Sequence, residues 1–276
     1  MIRIGQMNRL RALRETSVGV FLGDRDGNDL LLPNKYVPET LEIDDMIDVF
    51  VYTDSEDRPV ATTRLPYVER DEFGFLEVVA VTNFGAFLDW GLEKDLLVPL
   101  KEQQLPMKVG QRYVVFLYLD RDTGRLVASS RINSFLDDDA SDLEAGQAVD
   151  LMVYERTDLG YNVIINNRYR GLLYTNELFK RVTVGDRLEG YIKTIRPDKR
   201  ADVTLQKPGY EGIEPNAQLI LDKLKAAGGF LPLNDESAPE AIYRTLEMSK
   251  KTFKKAIGSL YRERAIRIEP DGIRLV

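Results

Sequence analysis

Phe84 and Phe87 stand three residues apart around a Gly-Ala step in "VTNFGAFLDWG", and Trp90 follows three residues later. Aromatic rings beside a glycine, outside any long apolar run, suit the stacking of a flat ligand; the alternative use is core packing. Downstream, Asp120 and Arg125 flank a turn. Acid–base chemistry there would need a second carboxylate or a nucleophile, and the sequence supplies neither at a readable spacing. Mutual pairing that orients the guanidinium is the simpler role. The chain has no cysteine and no histidine, which excludes a zinc ribbon, a cysteine nucleophile, a Ser-His-Asp triad and imidazole proton transfer. The run Asp137-Asp138-Asp139 reads as a solvated acidic linker, not a magnesium site. No catalytic residue, metal or cofactor is expected.

Stacking rings need strands to hold them, and three stretches share one pattern: "SVGVFLGDRDGNDLLLPNKYV", "TNFGAFLDWGLEKDLLVPLKEQ" and "DLGYNVIINNRYRGLLYTNELF". With Phe21, Phe87 and Val163 taken as equivalent, the residue twelve later is Pro33, Pro99 and Thr175. A glycine or acidic turn then opens an alternating strand ("IDDMIDVFVYTD", "KVGQRYVVFLYLD", "TVGDRLEGYIKTI"), and "DRPVATTRL", "GRLVASSRI" and "KRADVTLQK" close the units. Period-two alternation broken by turn residues predicts strands. Each unit holds about five in roughly 60–65 residues, the size of a small closed barrel. The units are set at residues 1–65, 66–134 and 145–208, the last ending near Pro208-Gly209.

From 213 to 276 the period turns helical. Leu219, Ile220, Leu224 and Ala227 form one apolar stripe, stopped by Gly228-Gly229. A short "FLPL" strand follows, then a helix with Ser237 as cap and Pro239 in its first turn. Ser249 caps the longest helix, which buries Phe253, Ile257 and Leu260 and turns Lys250, Lys251, Lys254 and Lys255 to solvent. A hairpin around Pro270-Asp271-Gly272 ends the chain. Helix, strand, helix, helix and hairpin make a winged helix, whose third helix and wing can touch a phosphate backbone.

Composition agrees with several folded domains: 276 residues, 43% hydrophobic and 30% charged. No run approaches the ~20 apolar residues of a membrane helix, and the N-terminus lacks the apolar core of a secretory signal, so a cytosolic protein is expected. The formal net charge is -7, but it is unevenly spread. Residues 148–210 carry eleven Lys/Arg, Lys180 and Lys207 among them, against eight Asp/Glu; from residue 248 onward eight basic residues meet three acidic ones. Phosphate attraction therefore favours the C-terminal half.

The second unit resembles the RNA-binding repeat of ribosomal small-subunit protein one, the S-one domain, a five-stranded OB-fold barrel. The likeness is carried by Phe84-Gly85-Ala86-Phe87, Leu96-Leu97-Val98, Val109-Gly110-Gln111, Asp120 and Gly124-Arg125. Three such units before a winged helix resemble the conserved virulence factor B family of bacterial RNA-binding proteins. The resemblance implies a multidomain chain of three all-β five-stranded OB barrels and an α+β winged helix. It also implies that single-stranded RNA is bound on one barrel face by two turn aromatics, a histidine, and the Asp and Arg of the last hairpin. By position, unit two keeps Phe84, Phe87, Asp120 and Arg125, with Pro99 at the histidine place. Unit one keeps Phe21, Asp54 and Arg58, with Val18 and Pro33 at the other places. Unit three has Leu159 and Val163 for the aromatics and Thr175 for the histidine, with Tyr161 between them and Arg200 in the last hairpin.

The expected function is non-catalytic binding of single-stranded RNA in post-transcriptional or translational regulation, through weak contacts added along one strand. The expected contacts are Phe84, Phe87, Asp120 and Arg125; Tyr161, Lys193 and Arg200; and Lys250, Lys251, Lys254, Lys255 and Arg274. The alternatives are a protein-interaction adaptor made of degenerate barrels, and a duplex-DNA-binding regulator driven by the winged helix.

Overall fold

The computed structural model describes residues 1–178, 181–206 and 215–276. Lys180 and Lys207, and the unit end at Pro208-Gly209, lie outside the described residues. Met1–Leu205 form one compact unit and Gln206–Val276 another.

In the first unit the alternating stretches become strands in three repeats. The first comprises β1 (Met7–Thr16), β2 (Gly19–Gly23), β3 (Asp29–Pro33), β4 (Met46–Thr53) and β5 (Pro59–Thr62). The second comprises β6 (Phe73–Val81), β7 (Gly85–Asp89), β8 (Leu96–Pro99), β9 (Arg112–Leu119) and β10 (Leu126–Ser129). The third comprises β11 (Ala148–Arg156), β12 (Gly160–Ile165), β13 (Tyr169–Tyr174), β14 (Arg187–Ile195) and β15 (Ala201–Thr204). The first and third close into barrels in the orders β1-β2-β3-β5-β4 and β11-β12-β13-β15-β14. In the second the order is β10-β9-β6-β7-β8, with β8 and β10 side by side, so that the barrel is nearly closed. These are OB folds.

Two devices recur and fix the register. The opening strand of each barrel breaks its ladder with the next, between Ala12 and Arg14, Val78 and Ala80, and Val153 and Glu155, which adds the curvature that closure needs. The second strand opens with Gly19, Gly85 or Gly160, paired with Pro33, Pro99 or Tyr174. A Cβ there would lie 2.1, 2.5 or 2.1 Å from the carbonyl oxygen of Leu32, Val98 or Leu173. Glycine at Gly85 is thus required by the close approach of β8, not by a bend in the left-handed region, which its backbone does not adopt.

Aligned on these glycines, Val18, Phe84 and Leu159 are equivalent, as are Phe21, Phe87 and Asn162. Val163 instead matches Leu22 and Leu88, all three fully buried inside their barrels. The equivalence of Val163 with Phe87 is therefore corrected by one residue, and Tyr174, not Thr175, occupies the place of Pro99. Because strand side chains alternate, that single step exchanges the inner and outer faces.

Buried apolar clusters join the barrels. Phe50, Tyr52 and Val60 of the first share one with Leu88, Trp90, Leu96 and Leu117 of the second. The Trp90 ring meets Phe50 edge to face at 5.7 Å, and its Nε1–H donates to the Lys94 carbonyl at 2.6 Å. Trp90 is thus core. Between the second and third barrels, Phe73, Val114, Ile132, Met152 and Ile164 form another cluster, with Phe116 stacked on Phe135 at 4.4 Å.

The second unit contains α1 (Pro215–Ala226), β16 (Phe230–Leu231), α2 (Pro239–Leu246), α3 (Lys250–Arg262), β17 (Ile266–Glu269) and β18 (Gly272–Leu275), with sheet order β16-β18-β17: a winged helix. The buried stripe of α1 is Ala217, Ile220, Leu221 and Leu224, while Leu219 and Ala227 are exposed, a correction that follows from the helix phase. Gly228 and Gly229 both take positive φ and end the helix. Ser249 caps α3, its Oγ accepting from Thr252 N–H at 3.1 Å. Ser237 does not cap α2: Ala238 holds that position, and the Ser237 hydroxyl is engaged with Asn234. Phe253, Ile257 and Leu260 are buried as expected. Among the described residues no helix is long and apolar enough to cross a membrane.

Candidate nucleic-acid interface

On the second barrel, Phe84 precedes β7 and Phe87 points outward from it. Phe84 is 56% exposed and Phe87 half-buried; their rings meet edge to face at 5.7 Å. The Phe84 carbonyl accepts from Leu100 N–H at 3.1 Å, tying the turn to the end of β8. With more than half of its surface exposed, Phe84 offers ring area to a flat partner. Asp120 does not pair with Arg125. Its Oδ1 accepts the amide N–H groups of Asp122 and Thr123 at 2.9 and 3.4 Å, and these bonds hold the carboxyl below its ordinary range. Arg125 instead donates to Asp57 of the first barrel, whose carboxyl it holds low. Asp120 shapes its hairpin, and Arg125 braces two barrels.

The expected hairpin pair does form in the first barrel, where Arg58 meets Asp54 through Nε at 3.0 Å and Nη2 at 2.8 Å. Phe21 there lies under the Arg14 guanidinium at 4.0 Å, and Arg14 pairs with Asp29 at 2.6 Å. That ring is already capped by a cation.

The third barrel gathers a different set. Asn162, Arg170, Gly171, Leu172, Arg196 and Arg200 line most of a cleft of about 200 Å³ on its outer face. Arg196 is held by Asp202 through Nε at 2.9 Å, and its Nη2 donates to the Tyr174 hydroxyl at 3.2 Å. Three guanidiniums, an amide and a nearby phenol offer phosphate contact, hydrogen bonding and a stacking surface. Of the residues expected here, Arg200 lines the cleft. Tyr161 does not, because it occupies the inward phase of β12 and packs half-buried against the barrel core. Lys193 is bound to the Glu177 carboxylate, which raises its pKa. Asn162, Arg170, Tyr174 and Arg196 were missed, and alignment on Gly160 rather than on Val163 is the signal that finds two of them, Asn162 at the place of Phe87 and Tyr174 at that of Pro99.

The acidic run is not a free solvated linker. Asp137 pairs with Arg168 at 2.8 Å, Asp138 lies 3.5 Å from Arg170 and 3.4 Å from Arg200, and Asp139 pairs with Lys199 at 2.6 Å. Lys199, followed by Ser141, holds the Asp139 pKa down to about 2. Among the described residues no cluster of Asp and Glu is arranged to hold a metal ion.

In the winged helix, Lys251, Lys254 and Lys255 are exposed, and Lys250 Nζ donates to the Glu236 carbonyl at 3.2 Å. Lys250, Lys254 and Tyr261 follow one stripe of α3, and Tyr261 is 58% exposed. Arg274 is engaged: it pairs with Glu269 at 2.6 Å and Asp271 at 2.9 Å and lies over the Phe230 ring at 4.2 Å.

OB barrels with aromatic and basic outer faces, followed by a winged helix with a lysine-bearing third helix, define a multidomain protein of the nucleic-acid-binding class. Residues 4–64 and 74–131 match the S1 domain, the S-one repeat above, and residues 218–275 match the CvfB-like winged helix domain. "Uncharacterized protein YitL" of Bacillus subtilis is 32% identical over 269 residues, covering 94% of this chain and 89% of that one. Conserved virulence factor B of Staphylococcus epidermidis is 26% identical over 246 residues, covering 86% of this chain and 82% of its own. A solved multidomain protein with nucleic-acid-binding domains from Streptococcus pneumoniae is 25% identical, covers 99% of this chain and 98% of its own, and has a TM-score of 0.42. The chain belongs to the conserved virulence factor B family, and its S1 and winged-helix domains support a regulatory nucleic-acid-binding role.

Proposed function

We propose that this chain is a non-catalytic regulator that binds single-stranded RNA, acting after transcription or in translation from the cytoplasm. The observation that carries the reading is the exposed Phe84 ring set edge to face against Phe87 on a barrel of the S1 type. An unpaired base can stack there, whereas a base inside a duplex presents no free face. The domains 1–65, 66–134, 145–208 and 213–276 act in series. The second barrel supplies stacking; the third supplies phosphate and amide contacts from Asn162, Arg170, Arg196 and Arg200; Lys251 and Lys254 of α3 add charge.

The full chain is titrated with single-stranded RNA, duplex RNA and duplex DNA over a salt series. Single-stranded RNA is expected to bind tightest, with log K falling linearly in log salt by about 0.7 per phosphate neutralised. Absence of salt-dependent RNA binding rejects the reading. Full competition by duplex DNA transfers it to the winged-helix DNA regulator.

A further inference from the structure

The Asp137–Asp139 segment crosses the third barrel beside its basic cleft and is fastened there by backbone as well as side chains. Asp137 N–H donates to the Arg168 carbonyl at 2.9 Å, Arg170 N–H returns to the Asp137 carbonyl at 3.2 Å, and Ala140 N–H donates to the Lys199 carbonyl at 2.9 Å. The segment thus spans from the β12–β13 turn to the β14–β15 hairpin. Along it, three successive carboxylates meet four cations: Arg168, Arg170, Arg200 and Lys199. Asp138 lies between Arg170 and Arg200, two of the three arginines that line the cleft. Its Oδ1 faces both guanidiniums, and a carboxylate and a phosphate are anionic acceptors that the same N–H groups recognise.

We propose that Asp137–Asp139 is a built-in competitor for the RNA backbone, a strap of carboxylates that occupies the phosphate positions of the third-barrel cleft until RNA displaces it. The inference rests on the single-stranded RNA reading above and adds regulation of the same cleft. The strap is displaceable: its three aspartates are 53%, 63% and 54% exposed, and exposed ion pairs are individually weak and screened by salt. It acts as a threshold. A single phosphate gains little by replacing one carboxylate, while a strand that also stacks elsewhere on the protein can displace the three exposed carboxylates together, the backbone of the segment staying in place. Selection then falls on long, unpaired RNA over isolated phosphates.

The test compares the full-length wild type with Asp137→Asn/Asp138→Asn/Asp139→Asn, using fluorescence anisotropy with a labelled oligouridylate from low to high salt. The variant is expected to bind roughly three- to ten-fold tighter at low salt, with the gain shrinking as salt rises. A charge-matched control on the first barrel, Glu39→Gln/Glu42→Gln/Asp48→Asn, is expected to leave affinity within about two-fold, because its charges lie away from the cleft. Adding Arg170→Gln and Arg200→Gln to the strap variant is expected to abolish the gain. Should the triple variant lose its fold by circular dichroism, Asp138→Asn alone carries the test, with roughly two- to three-fold expected. If the wild type binds and the strap variant binds no tighter, the strap is refuted while the RNA reading stands. The strap is equally refuted if the first-barrel control gives the same gain. If neither protein binds the probe at any salt, the RNA reading fails and the strap falls with it.

Discussion

Replacing Phe84 and Phe87 with alanine separates stacking from packing, because the two roles predict opposite balances between stability and affinity. Full burial of a phenylalanine contributes about 1.5–3 kcal/mol. Phe84 is 56% exposed, so its truncation forfeits less than half of that, about 1 kcal/mol. Losing the edge-to-face contact with Phe87 adds about 0.5–1.5 kcal/mol. Half-buried Phe87 forfeits about 1 kcal/mol more on the same reckoning, so the double variant should lose about 3 kcal/mol, against about 6–10 kcal/mol for truncating two fully buried phenylalanines. Each base stacked on a ring contributes about 1–3 kcal/mol, so one lost stack weakens binding roughly 5- to 150-fold. Denaturant unfolding followed by tryptophan fluorescence gives the first quantity, and anisotropy with a single-stranded oligonucleotide the second. Unchanged affinity in a folded double variant would refute stacking at this pair. A stability loss of about 6 kcal/mol or more would show that the rings are packing after all.

Trp90→Ala is expected to cost about 3–5 kcal/mol, since the side chain is 2% exposed and joins two barrels; a loss under about 1 kcal/mol by denaturant titration would contradict the shared core. Asp139 has a folded pKa lowered to about 2 from an ordinary 3.8, chiefly by the hydrogen bond from Lys199. Its contribution to stability is accordingly complete above the ordinary value and is lost as pH falls through about 2. A carbon-detected NMR titration of the Asp139 carboxyl should give that low midpoint, and Lys199→Ala should raise it part of the way, the Ser141 bonds holding it below the ordinary value; a wild-type midpoint already near 3.8 removes the Lys199 bond from the account.

The barrels and the winged helix were legible because alternation and helical period are local signals. Phe84, Gly85 and Phe87 marked the second barrel through residues in immediate succession. The third barrel was misaligned by one residue because Asn162 and Val163 stand side by side, and only the close approach of the Leu173 carbonyl to Gly160 says which of them faces out. Arg125 was assigned to Asp120 by nearness in sequence, whereas its partner Asp57 lies 68 residues away. The docking of Asp138 on Arg170 and Arg200 left no trace for the same reason: it joins segments brought together only by the closed barrel. Tyr161 was chosen by residue type, and its strand phase turned it inward.

If the chain binds single-stranded RNA as proposed, the apolar clusters that join the three barrels bear on the length of strand it favours. Phe50 against Trp90, and Phe73 and Val114 clustered with Met152 and Ile164, couple neighbouring barrels through side chains that cannot separate without exposing core. The barrels are therefore not beads on a flexible string, and the distances between their outer faces are set when the chain folds. A strand too short to reach a second face gains nothing from its presence. One that reaches gains the second set of contacts with little further loss of protein entropy. On the proposed reading the first unit is expected to work as a ruler, with affinity rising in a step as an oligonucleotide passes the span between two faces, and with one cooperative melting transition for all three barrels.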